Sequence, residues 1–286
     1  MTTLACYRNT FLLLILLSVA CLLRAQDTET EKPCLPVNEV PAARLAFAAG
    51  EKITMMASYT WGVVNTDVGT VSLHVTEKSL GGEPGFKAKG RLQTSKFFSA
   101  FFKVDDYYES HFKKSNLRPV YFMRDINEGK YTIQNYYHYN PDHSINARII
   151  RKDGSIQDTL LPGRICTFDL ITVFYFLRNL DFENMTPGEV SPISFAIDEE
   201  VFELYLRFDG YEEVKVLGMG IFRALKFSAQ TVAGVVFDGK EDMRFWISDD
   251  KNRIPLFLES PVIVGSVTAR LCHYENLRFP LTSKIK

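Results

Sequence analysis

Alternation with period two dominates the chain. In "FFKVDDYYESHF" (101–112), Phe102, Val104, Tyr108 and Phe112 fall on one face, and Lys103, Asp105, Glu109 and His111 on the other. Successive side chains of a strand point to opposite faces, so this stretch predicts a strand with one dry side. The same rhythm runs through 51–61, 69–77, 129–140, 200–210, 233–239 and 244–271. Turn signals separate the runs: "GGEPG" at 81–85, "NEG" at 127–129 and "PDHS" at 141–144. Many short-spaced strands without interleaved helices predict an antiparallel meander rather than a parallel sheet.

One segment breaks the rhythm. "TFDLITVFYFLRNLDF" (167–182) carries Leu170, Val173, Phe174, Leu177 and Leu180 at helical spacing, with Ile171 and Tyr175 widening the stripe. Thr167 or Asp169 can cap its start, and "NMTPGE" ends it. So few polar positions predict a mostly buried helix, seated in the concave side of a curved sheet. The strand groups 45–160 and 190–280 would each leave a wide apolar face wet alone, so one continuous sheet is expected. The predicted fold class is mainly β: a curved antiparallel meander forming an open half β-barrel around one buried central α-helix. It is expected as a single domain over residues 45–282.

The N-terminus adds a compartment. Arg8, the thirteen-residue run Phe11–Leu23 and the small Ala25 predict an export signal over residues 1–25. As a helix that run reaches about 20 Å, short of the roughly 30 Å hydrocarbon core, so cleavage near Ala25 is favoured over anchoring. Cys21 after Ala20 offers a lipoprotein alternative, although Ser18 stands where Leu is usual. Residues 26–44 read as a flexible leader. The mature protein is then expected in the periplasm or cell envelope, with no transmembrane span. Losing Arg8 and Arg24 moves the formal charge from -1 to -3, which gives no basic footprint for nucleic acid. Cys34, Cys166 and Cys272 allow one disulfide and one thiol, in a pairing that spacing leaves open.

Reactive constellations are scarce. Asp249 and Asp250 in "RFWISDDKNRIP" fall between two strand-like runs, where Ser, Asp and Asn favour a turn. Neighbours on a strand face opposite ways, so the pair reads as a bend and not as an acid/base couple. Asp106 lies on the apolar face of its strand, where an unpaired carboxylate is costly, so a partner such as a tyrosine or Arg124 is expected. His138 and His143 flank a turn at a spacing without a standard metal geometry. Ser266 sits in a strand pattern, not a nucleophile elbow, and "GMGIFR" (218–223) lacks a third glycine and a following helix. "SKFFSAFFKV" (95–104) concentrates four phenylalanines, as core or as a lipid-facing lip. No catalytic residue, metal site or cofactor is expected.

Taken in order, "FAAGEKITMMASYTWGVVNTDVGTVSLHV", "FFKVDDYYESHF", "LRPVYFMRDINEGKY", "FDLITVFYFLRNL" and "GKEDMRFWISDDKNRIPLFLESPVIVGSVTARL" resemble a bacterial exported family, the domain of unknown function 3108. The resemblance spans about residues 45–275 and implies a mostly antiparallel protein similar to the open half-barrels that carry lipoproteins. It implies no catalytic residues. The function expected is non-catalytic binding or carriage of a lipid or other hydrophobic ligand in an apolar groove between helix and sheet. Trp61, Phe98, Phe102, Asp106, Tyr108 and Phe174 are its candidate ligand-binding residues. Two alternatives stand beside it: an envelope assembly protein that meets a protein partner through sheet edges, and a hydrolase using Asp106 or the His138/His143 pair.

Overall fold

The computed structural model of this protein describes residues 40–62, 64–230, 242–261 and 265–286. The expected signal, Cys21, Cys34 and the strand expected at 233–239 lie outside the described residues.

Alternation becomes strand wherever turn residues allow reversal. The first half builds β1 (Lys52–Trp61), β2 (Val64–Leu80), β3 (Glu83–Thr94), β4 (Asp105–Lys113), β5 (Pro119–Glu128), β6 (Tyr131–Tyr139), β7 (Ile145–Arg151) and β8 (Ile156–Leu161). After β9 (Thr167–Phe168) comes the helix α1 (Leu170–Leu177). The second half adds β10 (Val190–Ile197), β11 (Glu200–Val216), β12 (Gly220–Gln230), β13 (Asp242–Ser248), β14 (Pro255–Pro261) and β15 (Ser266–Glu275).

These strands form one open sheet in the order β8-β7-β6-β5-β4-β3-β2-β1-β15-β14-β13-β12-β11-β10-β9. It is two meanders zipped together where β1 meets β15 antiparallel, Lys52 opposite Glu275 and ion-paired with it at 2.9 Å. Among the described residues only the two-residue β9–β10 contact is parallel. The two strand groups thus share a continuous sheet.

The helix is shorter than its apolar run, 170–177 rather than 167–182, and both ends have a cause. Thr167 and Phe168 pair with Ser194 and Phe195 instead. Asp169 then caps α1, its Oδ1 accepting the Ile171 and Thr172 amides at 2.8 Å each. At the other end Arg253 donates to the Arg178 and Leu180 carbonyls, which a longer helix would need for itself. Residues Phe182–Asn184 form a separate 3-10 turn. The burial also differs from the expected stripe. Ile171, Thr172, Tyr175 and Phe176 are buried, whereas Leu170, Val173, Phe174, Leu177 and Leu180 are half-buried.

The sheet makes room for α1 with small side chains. Along the inner face of β3 the order is Phe86, Ala88, Gly90. A Cβ added at Gly90 would stand 2.9 Å from Ile171 Cδ1. Around this contact Phe47, Phe86, Phe112 and Tyr175 pack ring to ring at 4.7–6.4 Å. These rings fill the space between α1 and the β3–β4 surface, so the apolar groove expected there is occupied by the protein's own side chains. Aromatic side chains are large and rigid, and a chain this rich in them closes a hollow readily.

Polar side chains tie down what the backbone does not. Arg178 is fully buried against Glu51, with Nη1–Oε1 at 2.6 Å and Nη2–Oε2 at 2.9 Å, and it also donates to the Asn252 carbonyl. Asp250 accepts from Ser248 Oγ, the Asn252 amide, and both the amide and hydroxyl of Ser283. Asn252 in turn holds Phe279 through its amide and carbonyl. "DDKNR" (249–253) is therefore a turn between β13 and β14 that fastens the end of α1 to the C-terminal segment.

Candidate functional site

The strands β5 to β8 carry polar and aromatic residues on the face away from the core. Their inner positions, Phe122, Arg124, Ile126, Ile133, Asn135, Tyr137, Ile145, Ala147 and Ile149, are buried. Their outer positions line up in rows because the register places them opposite one another. Tyr121 faces His138, His138 faces Asn146, and Asn146 faces Leu160. In the next row Tyr136 faces Arg148, which faces Asp158. The result is an open trough of about 790 Å³ lined by Tyr121, Tyr136, His138, Arg148, Ile150 and Leu160, among others.

Its chemistry is amphiphilic. His111, Tyr121 and His138 form a ladder of rings across three strands, each 5.0 Å from the next. Arg148 and Asp158 meet in a two-point ion pair of 2.7 and 2.9 Å on the exposed floor. Leu160, 64% exposed, lies on β8, which ends the sheet. Such a surface offers ring faces and methyl groups beside one charge pair.

The far side of the sheet meets the β10–β11 turn. Asp198 binds Arg124, Glu199 binds Arg151, and the Tyr137 hydroxyl donates to the Asp198 carbonyl at 2.8 Å. Arg124 also donates to Asn135 Oδ1 at 2.9 Å. Thus side chains bridge β5, β6 and β7 to the opposite half, where among the described residues no ladder of backbone bonds joins β8 to β10.

The sequence-predicted residues are not one constellation. Phe98 is half-buried in a short 3-10 turn, and Phe102 is 56% exposed with its ring over Gly129. Asp106 and Tyr108 share the inner face of β4, where Tyr108 packs beside Ile126, Ile133 and Ile149. Phe174 belongs to α1, beneath the Arg178 guanidinium at 5.4 Å. Trp61 ends β1, and its side chain lies outside the described residues. Sequence reasoning missed the trough, whose residues come from four strands and converge only through their register.

Asp106 lacks the expected partner. Oδ1 accepts the Asn127 amide at 2.8 Å, while the buried Oδ2 has no hydrogen-bond partner. Burial first, and then the neighbouring Glu128 and Asp105 charges, pushes its pKa up to about 6 from 3.8. The folded state therefore binds this proton more tightly than the unfolded chain. The associated stability is complete below about pH 3.8 and is lost as pH rises through about 6. Asp106→Asn keeps the Oδ1 acceptor and carries no charge. At pH 8 its unfolding free energy, read from urea melts, should exceed that of the parent by on the order of 1–2 kcal/mol, with the difference gone at pH 4. Equal midpoints at pH 8 would show that the carboxylate is not strained there.

His143 does not join His138: its Nδ1 meets Arg118 Nη2 at 2.9 Å. Among the described residues no group of three or more His, Cys, Asp or Glu side chains could hold a metal ion. Cys166 is disulfide-bonded, and Cys272 is a free thiol. Among the described residues, no helix is long and apolar enough to cross a membrane.

A family described as "Protein of unknown function (DUF3108)" matches residues 56–271. No curated protein sequence matches the chain. Among solved structures, a β-barrel-like protein of domain of unknown function DUF1849 from Brucella abortus is similar, with TM-score 0.50 and 10% identity over 84% of this chain and 99% of its own. A candidate lipoprotein from Parabacteroides distasonis gives TM-score 0.34 and 10% identity, over 81% and 98% of the two chains. The first likeness is one of fold alone, and the second is too distant to weigh.

Proposed function

The chain belongs to the DUF3108 family, and from that premise we propose that it is an exported, non-catalytic binding protein of the cell envelope that holds an amphiphilic, lipid-like ligand. In this reading the sheet is a half-barrel closed around α1, whose filled interior serves as scaffold. The ligand lies in the outer trough of β5–β8. The observation that carries the proposal is that trough: about 790 Å³, within the roughly 300–1,000 Å³ of ordinary ligand sites, with ring faces and aliphatic groups beside one ion pair. An acyl or aromatic body against Tyr121, Tyr136, Ile150 and Leu160 would gain about 0.8 kcal/mol per buried methylene. The Arg148–Asp158 pair would meet a polar head. Export agrees with the disulfide at Cys166, since disulfides persist in oxidising compartments.

Lipid extraction of the purified protein, followed by titration with the fluorophore 1-anilinonaphthalene-8-sulfonate, tests this reading. Co-purifying amphiphile and saturable probe binding are expected, with Leu160→Lys weakening the probe about tenfold at unchanged stability. No extracted lipid and no saturable binding would end it.

A filled interior also favours the second reading, assembly through a sheet edge. Among the described residues β8 has no strand on its outer side, and it exposes Ile156 and Leu160. Bare edges accept an added strand, and alternate side chains of such a strand would enter the same trough. A photo-crosslinker at residue 157 that captures a protein, with no lipid recovered, would select this reading over the first.

A further inference from the structure

The loop between β3 and β4 leaves four phenylalanines in a row of ten residues, and the fold does not bury them. Phe97 and Phe101 are 68% and 76% exposed, and Phe102 is 56% exposed. They form a cluster rather than scattered side chains: Phe97 lies 5.1 Å from Phe98 and 5.5 Å from Phe101, ring centre to ring centre. The loop that presents them is built, not slack. Thr94 Oγ1 takes the Val104 amide at 3.0 Å, Ser99 Oγ meets Thr94 Oγ1 at 2.9 Å, and the Ser99 amide bonds the Ser95 carbonyl at 2.9 Å. Holding three large rings in water by such a framework is costly unless something apolar covers them.

What surrounds the rings selects the cover. Lys96 and Lys103 flank the phenylalanines and are exposed. The Gly129 amide bonds the Lys103 carbonyl at 2.7 Å, which brings the exposed Lys130 alongside, and Lys152 Nζ bonds the Lys130 carbonyl at 2.7 Å. Tyr131, 53% exposed, follows directly. None of these four lysines has an acidic side chain within ion-pair distance among the described residues, whereas the nearby acids Asp105, Asp198 and Glu199 are each paired with an arginine. Exposed aromatic rings ringed by unpaired lysines fit a surface that is apolar within and anionic at its face.

We propose that the 95–104 loop, together with the β5–β6 turn, docks this protein on an anionic phospholipid bilayer. Phe97, Phe101 and Phe102 insert at the headgroup boundary, and Lys96, Lys103, Lys130 and Lys152 lie against lipid phosphates. The inference is independent of the trough and of any ligand it holds. A protein partner is the less suited occupant, because the four exposed lysines outnumber the acids beside them that have no ion-pair partner among the described residues, Glu128 and Asp153.

Co-sedimentation of the full chain with vesicles of phosphatidylethanolamine and phosphatidylglycerol tests the proposal, with phosphatidylcholine vesicles as the neutral control. The parent should bind the anionic vesicles, lose binding as salt is raised, and bind the neutral ones weakly. Phe97→Ser/Phe101→Ser should reduce binding about tenfold or more, and Lys96→Glu/Lys103→Glu should abolish the preference for anionic lipid. Both pairs are exposed, so an unchanged thermal melt shows that the fold is intact. Leu160→Lys should bind vesicles like the parent, which separates this result from failure of the trough. The proposal is overturned if the parent ignores anionic vesicles, if the serine variant binds undiminished, or if the rings instead mediate self-association without lipid.

Discussion

Arg178→Met should cost about 3–5 kcal/mol of folding stability, read as a shift of the urea midpoint at constant slope. The guanidinium sits at the end of α1 and is 1% exposed, as is the Glu51 carboxylate it holds in two-point contact. Deleting one charge leaves the other buried without a counter-ion, which is the costly case. It also removes the donors that serve the Asn252 carbonyl at 2.8 and 3.2 Å. Arg178→Lys is no rescue, since a single ammonium cannot repeat the fork. Arg178→Met/Glu51→Leu should recover roughly half of the loss, because an apolar pair no longer strands a charge while Asn252 remains underserved. A double variant as unstable as the single one would mean that the backbone contacts, and not the ion pair, carry the joint.

Gly90→Val should destabilise by about 2–3 kcal/mol, although valine suits a strand better than glycine does. The reason is the approach of α1: the new Cβ would stand 2.9 Å from Ile171 Cδ1, 3.4 Å from Leu73 Cδ2 and 3.5 Å from the Tyr108 Cβ. Ile171→Ala alone should cost about 2–4 kcal/mol as a cavity. Combined, the two should be less destabilising than their sum by about 1 kcal/mol or more, since each makes room for the other. Additive losses in a double-mutant cycle would place α1 away from β3.

The same glycine shows why part of this fold was hidden in the sequence. β4 was legible because Tyr108 and Phe112 alternate with Glu109 and His111, although the strand begins at Asp105 and not at Phe101. β3 was not, because its inner face reads Phe86, Ala88, Gly90: the strand yields volume to the helix and so loses its apolar signature. The helix was legible in type but not in extent. Its apolar run continues past Arg178, yet the carbonyls there are taken by Arg253, a contact 75 residues away in sequence. The stripe expected to be deepest, Leu170, Val173, Phe174, Leu177 and Leu180, proved half-buried, since a helix apolar on all sides gives no periodic hint of which face is deepest. Asp249 and Asp250 were readable as a turn from their composition. The anchoring of Ser283 by Asp250 was not, because no local pattern connects the two.

The candidate site divides along the same line. Single residues such as Asp106 announce themselves by a polar side chain on a dry face. The trough arises from Tyr121, Tyr136, Arg148 and Leu160, ordinary surface residues until the pairing of four strands sets them side by side. The grooves expected beneath the helix failed for a physical reason also visible in the chain: its large ring content fills such a space.

The pairing of β1 with β15 bears on biogenesis. During synthesis the first strand emerges more than two hundred residues ahead of the segment Ser266–Glu275 that covers it. Until then the nascent polypeptide carries an open hydrogen-bonding margin, a template for wrong partners. Emergence of β15 is therefore the step that locks the two meanders together. Deleting Ser266–Glu275 should yield inclusion bodies rather than a smaller working protein.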